Sequence, residues 1–516
     1  MTLAFTPPTG ATAATTAAVH HASAAAGNAA VADEAVEVLR AALAGSVPVE
    51  RILLKAAAGA GKSHVLKKLV TDAVARCTRV AIIAFTNKQV YPLATALGKE
   101  LGRDNVCLFS SKNRYDDVPA ETHTHATVAT SAAGIPAESR VVIATSHKLG
   151  ARGELARLAT HFTPDGEEPD AVFDVLFVDE AWQLPHHLFD KVAKAAPITV
   201  GVGDVGQLPP LEIGANPWRG DPGFNPYRAW PTDFDNDERT VAIELPAVWR
   251  PAAGHLHLWR AFYPEWRELN CVAAPGDRAL VTDRLTGHAA DIWHTVGTGV
   301  PTLLEVAGLP EAEAADVDQP LLGQIEALLD ALLSAEFALT RAEYDSTGAP
   351  TGRQLTTRPG DGGDPLITVL ATRNQAVDDA TDIVDRLRAK HSLAATDIVA
   401  STVDSWQGQT NGITVAIHPL SGAGRLDEFN SSFGRLAVTC TRATHGLLML
   451  TRPGLPDLLR DAPARPGTPF GEPGGRHLPR QTHQRILTAF TSTTLTIPPT
   501  TPPPDLFPIV ATGYEK

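Results

Sequence analysis

The chain has 516 residues, 44% of them hydrophobic and 20% charged, with 44 Lys and Arg against 58 Asp and Glu for a net charge of −14. That length implies roughly two to four domains with room for a sizeable core. The acidic balance excludes a protein that coats nucleic acid or acidic lipid by bulk electrostatics, so any nucleic-acid site must be a local groove. The four cysteines, Cys77, Cys107, Cys271 and Cys440, form no C-x-x-C pair, which points to neither a zinc ribbon nor a disulfide framework and fits a reducing, cytoplasmic setting. No apolar run approaches about 18 residues, so no membrane span is expected, and the start lacks the basic-then-apolar pattern of a signal peptide.

In chain order, residues 1–30 are Ala/Thr-rich without a periodic apolar face and are expected to be a disordered leader. Residues 31–45 have helical spacing. From there β-like runs alternate with helical ones: RILLKAA, KSHVLKKLVTDAVARC, RVAIIAF, NKQVYPLATALGKEL, RVVIATS, DVLFVDE and PITVGVGD. This alternation predicts a parallel sheet flanked by helices over 31–240. The stretch 210–240 reads as loop. A second α/β unit, placed at 241–455, contains PLLGQIEALLDALLSAEFAL, PLITVLAT, NQAVDDATDIVDRLRAK, DIVASTVDSW, GITVAIH and HGLLMLT. Beyond it, 456–516 is Pro-rich and expected to be a largely disordered tail, with RQTHQRILTAF as one possible helix.

RILLKAAAGAGKSHVLKKL reads as strand, small-residue turn and helix, and Ala56 to Ser63 matches the P-loop pattern with Ala in place of the first Gly. Small residues let the backbone of Ala58, Gly59, Ala60 and Gly61 wrap phosphate oxygens while the helix start faces them. Lys62 would reach the terminal phosphates and Ser63 would ligate Mg²⁺. FDVLFVDE then ends an apolar strand in Asp179-Glu180: Asp179 can help hold Mg²⁺, and Glu180 can orient and deprotonate the attacking water.

VDEAWQLP (178–185) followed by GDVGQLPP (203–210) resembles the DEAxQ and GDxxQLPP motifs of superfamily 1 helicases, in the branch of the nonsense-mediated-decay and, more distantly, RecD-type enzymes. The resemblance implies two RecA-like P-loop domains with ATP in the interdomain cleft. It implies that Gln207 senses the γ-phosphate and couples hydrolysis to movement of single-stranded DNA or RNA. AFTNKQ (84–89) resembles motif Ia in its UvrD/Rep form, making Phe85 a base-stacking residue, with Thr86 and Asn87 beside it; a strand-end core Phe is the alternative. IATSHKL (143–149) resembles a backbone-contacting motif, with Thr145 and Ser146 as phosphate contacts or, alternatively, ordinary helix caps. LPAVWRP (245–251) resembles the family's aromatic-arginine motif. TVDSWQGQT (402–410) resembles motif V, assigning Thr402 to the strand and Gly408 to the nucleotide. RLAVTCTRATHGLLML (435–450) resembles motif VI. Arg250 and Arg442 would then stabilise the transferring phosphoryl group from the second domain.

The resemblance spans residues 49–455. The chain departs from it in having no Gln before Gln89 to read adenine, in carrying Thr410 where motif V has an acid, and in leaving little room for accessory domains. The GDVGQLPP branch implies 5′ to 3′ movement, and a partner such as a nuclease is possible. Two other readings are a nucleotide-gated switch that never translocates and a P-loop kinase, which would need neither motif V nor motif VI. The His pairs at 20/21, 123/125, 186/187 and 255/257 lack a ligand set and read as surface or loop histidines.

Overall fold

The computed structural model describes residues 2–9, 17–76, 78–163, 171–206, 210, 225–264, 266, 268–282, 284–314, 317–426, 430, 433–462 and 479–498. Gln207, Cys77, the acidic run 164–170 and most of the proline run 498–504 lie outside the described residues.

The first sheet holds β1 (Arg51–Lys55), β2 (Val80–Ala84), β3 (Val106–Phe109), β4 (Thr127–Ala129), β5 (Val141–Thr145), β6 (Val175–Asp179), β7 (Ile198–Gly203) and β8 (Thr240–Glu244), in the order β4-β3-β5-β2-β6-β7-β1-β8. Every pair in it is parallel. Its central strands are continuous Val/Ile/Leu/Ala runs because helices cover both faces and leave no side for water. Those helices are α1 (His21–Leu43), α2 (Lys62–Ala75), α3 (Asn87–Leu101), α4 (Ala120–His125), α5 (Ser146–Leu149), α6 (Glu154–Phe162) and α7 (His186–Phe189).

The short parallel strands β9 (Ala247–Val248) and β10 (Asn270–Cys271) follow, with α8 (Leu256–Phe262) between them. Then come β11 (Arg278–Val281), α9 (Gly287–Gly297), β12 (Thr302–Ala307), α10 (Gln319–Ser334), β13 (Ala338–Tyr344), β14 (Pro350–Thr357), β15 (Ile367–Ala371) and α11 (Asn374–His391). The last elements are β16 (Ile398–Thr402), β17 (Asn411–Ile417), α12 (Phe433–Cys440), β18 (Ala443–Thr451), α13 (Leu455–Asp461), α14 (Pro479–Leu487) and β19 (Thr491–Thr496). The second sheet is again all parallel, in the order β16-β15-β17-β18-β12-β19. A small antiparallel sheet, β11-β13-β14, stands beside it. The chain is thus α/β with two parallel sheets flanked by helices, as the alternation predicts.

Three expected boundaries move. The leader expected over 1–30 gives way to helix from His21, and Thr6 bridges to Ser492. The helix forms because Ala25, Asn28, Ala32, Ala35, Leu39 and Ala42 repeat at three- and four-residue steps and are all buried; a stripe built mostly of alanine is too weakly apolar to stand out in the sequence. The expected break at 240 falls inside β8, which pairs with β1, and the segment up to Ala273 packs into the same core as α1 and α2. The expected tail contains α13 and α14 and contributes β19 to the edge of the second sheet beside β12. The core under α1 and α2 continues through Trp259 and Tyr263 to Leu436, Cys440, Leu447 and Met449, so a shared apolar mass joins the two sheets.

Candidate nucleotide site in the cleft

The carboxyl ends of three neighbouring strands frame the site. Lys55 of β1 is level with Gly203 of β7, and Val202 of β7 is level with Asp179 of β6. Because β7 lies between β1 and β6, the GDVGQLPP loop leaves the sheet midway between the P-loop and the Asp179-Glu180 pair. The glycine before Asp204 has a steric cause: a Cβ at Gly203 would sit 2.7 Å from the Trp182 ring and 2.9 Å from the Ala181 nitrogen.

Three P-loop carbonyls are tied to groups outside the loop. Trp259 Nε1 donates to Ala58 O at 2.9 Å, the Trp249 amide donates to Gly59 O at 2.7 Å, and Asn28 Nδ2 donates to Ala60 O at 2.9 Å. Asn28 is itself fixed on β9, donating to Ala247 O and accepting from Ala247 N. With the carbonyls committed, the amides of Gly59, Gly61, Lys62 and Ser63 make no hydrogen bond among the described residues. Four donors at the start of the 14-residue helix α2 form an anion cradle. Gly59, at φ 73°, is required twice over: its backbone is left-handed, and a Cβ there would collide with that of Arg250.

Lys62 Nζ lies 2.9 Å from both carboxylate oxygens of Glu180, pairing the P-loop lysine with the expected base. Glu180 adopts a left-handed conformation (φ 51°, ψ 48°), a strained position of the kind that clusters at functional sites. Asp179 Oδ1 accepts from the Glu180 amide at 3.1 Å. Burial, and then the Glu180 charge, push the Asp179 carboxyl up to about 7, against the pull of Lys62. Asp179 and the exposed Ser63 are hard oxygen donors of the kind that a divalent cation would suit. Among the described residues no cluster of three or more His, Cys, Asp or Glu forms a protein-only metal site.

Opposite these groups stand the two arginines. Arg250 Nη1 donates to Thr441 O at 3.1 Å, and Arg442 Nη2 donates to Thr441 Oγ1 at 3.0 Å. Arg442 is only 1% exposed, and among the described residues its Nε has no hydrogen-bond partner. Burial, and then Arg442, push Arg250 down to about 9, still high enough for it to remain charged near neutrality. Burial lowers Arg442 as well, opposed by Asp204, Tyr263 and Glu180. A buried guanidinium, Arg442, beside a half-buried one, Arg250, calls for an anion between them and Lys62. Their provenance corrects the expectation that both come from the second domain: Arg250 follows β9 and its amide is hydrogen-bonded to Gly59 O, so it belongs to the P-loop side, while Arg442 precedes β18 of the second sheet.

Trp259 and Tyr263 were not singled out by the sequence. Tyr263 OH donates to both oxygens of buried Asp204 at 2.8 Å and accepts the Ala58 amide at 3.1 Å, locking the loop after β7 to the P-loop. Burial raises the Asp204 carboxyl and raises Tyr263 well above its ordinary value, so the phenol keeps its proton. The available signal was LHLWRAFYPEW, a dense aromatic run, but nothing in its spacing points to the P-loop.

At the far rim, Ala84 of β2 is level with Thr145 of β5. Phe85 is half-buried and lies 5.6 Å, ring centre to ring centre, from His147. Thr86 is exposed and, with Gln89, caps α3, whose first residue is Asn87. Thr145 Oγ1 accepts from the Lys148 amide, which is the helix-cap alternative. Ser146 is 1% exposed with its hydroxyl enclosed, so it cannot reach a strand, and its assignment as a phosphate contact is corrected. Thr402, at the end of β16, accepts from the Ser405 amide. Gly408 is exposed at φ 82°, and among the described residues no hydrogen bond joins it to the P-loop. Its turn acts at one remove, since Trp406 Nε1 donates to Asn411 Oδ1 and the Asn411 amide reaches Arg442 O at 3.3 Å. Of the paired histidines, His20 meets Cys271 O and His21 meets Asp277. His255 is not a surface residue but fully buried.

The family profile of the AAA domain matches residues 39–212. No curated protein matches the chain. Among solved structures it is similar to the PRRSV helicase, with 14% identity and a TM-score of 0.35 over 82% of this chain and 58% of that one. It is similar to arterivirus nonstructural protein 10, a helicase in complex with DNA, with 14% identity and a TM-score of 0.36 over 78% of this chain and 61% of that one. It is also similar to the DUF1998 helicase MrfA bound to DNA, with 9% identity and a TM-score of 0.41 over 82% of this chain and 48% of that one. The chain therefore spans between 48% and 61% of the length of these proteins.

Proposed function

We propose that the chain is an NTP-driven motor of the superfamily 1 helicase type, moving along single-stranded DNA or RNA, a reading that the AAA-domain profile match over residues 39–212 supports. The observation that carries this reading is the convergence of Arg250 and Arg442, one from each side of the cleft, on the backbone and side chain of Thr441 opposite the Lys62–Glu180 pair. A simple phosphate-binding switch needs the cradle. It does not need a buried guanidinium contributed by a second sheet, whose approach makes hydrolysis depend on the position of one lobe relative to the other.

In this reading the free amides of Gly59, Gly61, Lys62 and Ser63 bind the terminal phosphates of ATP, with Lys62 transferring from Glu180 to phosphate oxygen. Ser63 and Asp179 would hold Mg²⁺, which when bound supplies charge neutralisation on the phosphates. Glu180, released from Lys62, takes the proton of the attacking water. Arg250 and Arg442 stabilise the charge on the transferring group as its bond to the leaving nucleoside diphosphate breaks, and release of phosphate and the diphosphate reopens the cleft. Gln207, four residues after β7 in sequence, is the residue assigned to couple the two events. The strand crosses the carboxyl rim at Phe85, Thr86, Asn87 and Thr145 and continues to Thr402, gripped through backbone contacts and base stacking. A cytoplasmic setting and a nuclease partner go with this reading.

The test is steady-state hydrolysis of the four NTPs with and without single-stranded DNA and RNA, followed by displacement from 5′- and 3′-tailed duplexes. Lys62→Ala should lower stimulated hydrolysis by roughly 10²-fold or more; an unchanged rate would sink the site. Stimulation by neither nucleic acid would sink the motor and leave the switch.

A further inference from the structure

A directional chain of hydrogen bonds runs from the rim of the first sheet to the catalytic acid. The Thr86 amide and hydroxyl both donate to Gln89 Oε1, at 2.9 and 3.0 Å. Gln89 Nε2 donates to Gln183 Oε1 at 3.3 Å, and Gln183 Nε2 donates to Glu180 Oε2 at 3.3 Å. Glu180 completes it at Lys62. Each amide accepts at its oxygen and donates from its nitrogen, so the links polarise one another in one direction. Gln183 is buried, which keeps solvent from replacing it, while Thr86 at the outer end is exposed at the mouth of the β2–α3 turn.

We propose that Gln89 is a positioning residue that transmits strand occupancy at Thr86, through Gln183, to the carboxylate of Glu180. This rests on the motor reading above. In the resting arrangement the Thr86 hydroxyl is committed to Gln89 and Glu180 is committed to Lys62 and Gln183. A phosphate oxygen of a bound strand is a charged acceptor and competes for the Thr86 hydroxyl. Losing that donor frees the Gln89 amide to shift, and Gln183 and Glu180 shift with it, favouring release of the acid from Lys62. A population shift of this kind needs only the differential hydrogen bonding of the two states.

The structural role of Gln89 can be separated from the relay. Gln89 also forms the capping box of α3 with Thr86. Gln89→Glu keeps a carboxylate that accepts from the Thr86 amide and hydroxyl, but has no proton to donate to Gln183; Gln89→Ala removes both functions, and Gln183→Leu cuts the next link. The measurement is the ratio of hydrolysis with a single-stranded oligonucleotide to hydrolysis without it, alongside the urea midpoint of each variant. The expected result is a ratio lowered by roughly fivefold or more in Gln89→Glu and Gln183→Leu, with Gln89→Glu unfolding at the wild-type midpoint. A wild-type ratio in Gln89→Glu together with a lowered one in Gln89→Ala would assign Gln89 to the cap alone and overturn the relay while leaving the motor intact. Wild-type ratios in all three variants would also overturn it. An unstimulated wild-type chain would overturn the motor reading and the relay together.

Discussion

The Tyr263 hydroxyl donates a hydrogen bond to Asp204 and accepts one from the Ala58 amide, so one atom satisfies two buried groups on different loops. Removing it leaves both unsatisfied in a region without water access, which costs roughly 1–3 kcal/mol. Tyr263→Phe is therefore expected to lower the urea midpoint at an unchanged denaturant slope; a wild-type midpoint would show that the bond pair does not hold the loops. A second consequence follows from histidines enclosed without charge partners. His255, His418 and His445 are all buried, and burial pushes each of them down to about 3, helped by Arg278 for His255 and His445 and by His483 for His418. An unfolded chain binds these protons near pH 6.5 and the folded chain does not, so the stability present above about pH 6.5 falls as pH drops toward 3. The slope per histidine is up to about 1.4 kcal/mol per pH unit. Urea midpoints measured between pH 7.5 and 4.5 should decline, and less steeply in His418→Phe than in wild type; parallel profiles would contradict the assignment.

Helix α1 carries an effect larger than its weak apolar stripe suggests, because Asn28 on its buried face holds the Ala60 carbonyl of the P-loop and both polar groups of Ala247. Asn28→Ala leaves those groups unpaired, at a cost of roughly 1–3 kcal/mol, and lets the Ala60 peptide turn toward the phosphates. The expected readout is weaker binding of a fluorescent nucleotide as well as a lower urea midpoint; unchanged nucleotide affinity would reduce Asn28 to a packing residue. Why this was not readable beforehand is instructive. The P-loop, the Asp179-Glu180 pair and the strand–helix alternation were readable because each is local: a turn of small residues between an apolar run and a helix, or acids ending a buried strand. Asn28, Trp259 and Tyr263 act on the P-loop from 32, 201 and 205 residues away in sequence, and no local pattern encodes such a pairing. Ser146 failed for the opposite reason, since a hydroxyl at a strand end reads alike whether it faces solvent or, as here, the core. Arg250 was readable as a phosphate arginine, but its side of the cleft depends on the Trp249 and Arg250 amides reaching Gly59 O, which no motif records.

At the largest scale, the two sheets are joined by more than the covalent linker through β9 to β11, and the C-terminal segment supplies part of the joint. Arg485 Nε of α14 donates to Ala261 O in α8, the helix that carries Trp259 against the P-loop. Ile486 and Phe490 enter the core that also holds Trp259, Tyr263, Leu436 and Met449. A few residues on, β19 adds a parallel edge strand to β12 with six paired positions from Thr491 to Thr496. The segment 479–498 therefore grips α8 on one side and the second sheet on the other, and a motion that parts the lobes must work against it. Ending the chain after residue 462 would expose the long edge of β12 and remove Ile486 and Phe490 from the shared core. Unpaired strand edges and vacated apolar surface promote association, and each large core side chain removed costs roughly 2–5 kcal/mol. A chain ending at 462 is accordingly expected to aggregate or to unfold at a much lower urea midpoint than the full-length protein. The substitution Arg485→Ala, which breaks the grip on α8 and leaves β19 in place, separates the strap from the strand: it should lower stability modestly without aggregation, as followed by light scattering and urea midpoint. A monodisperse, stable chain ending at 462 would restore the dispensable tail that proline content alone suggests.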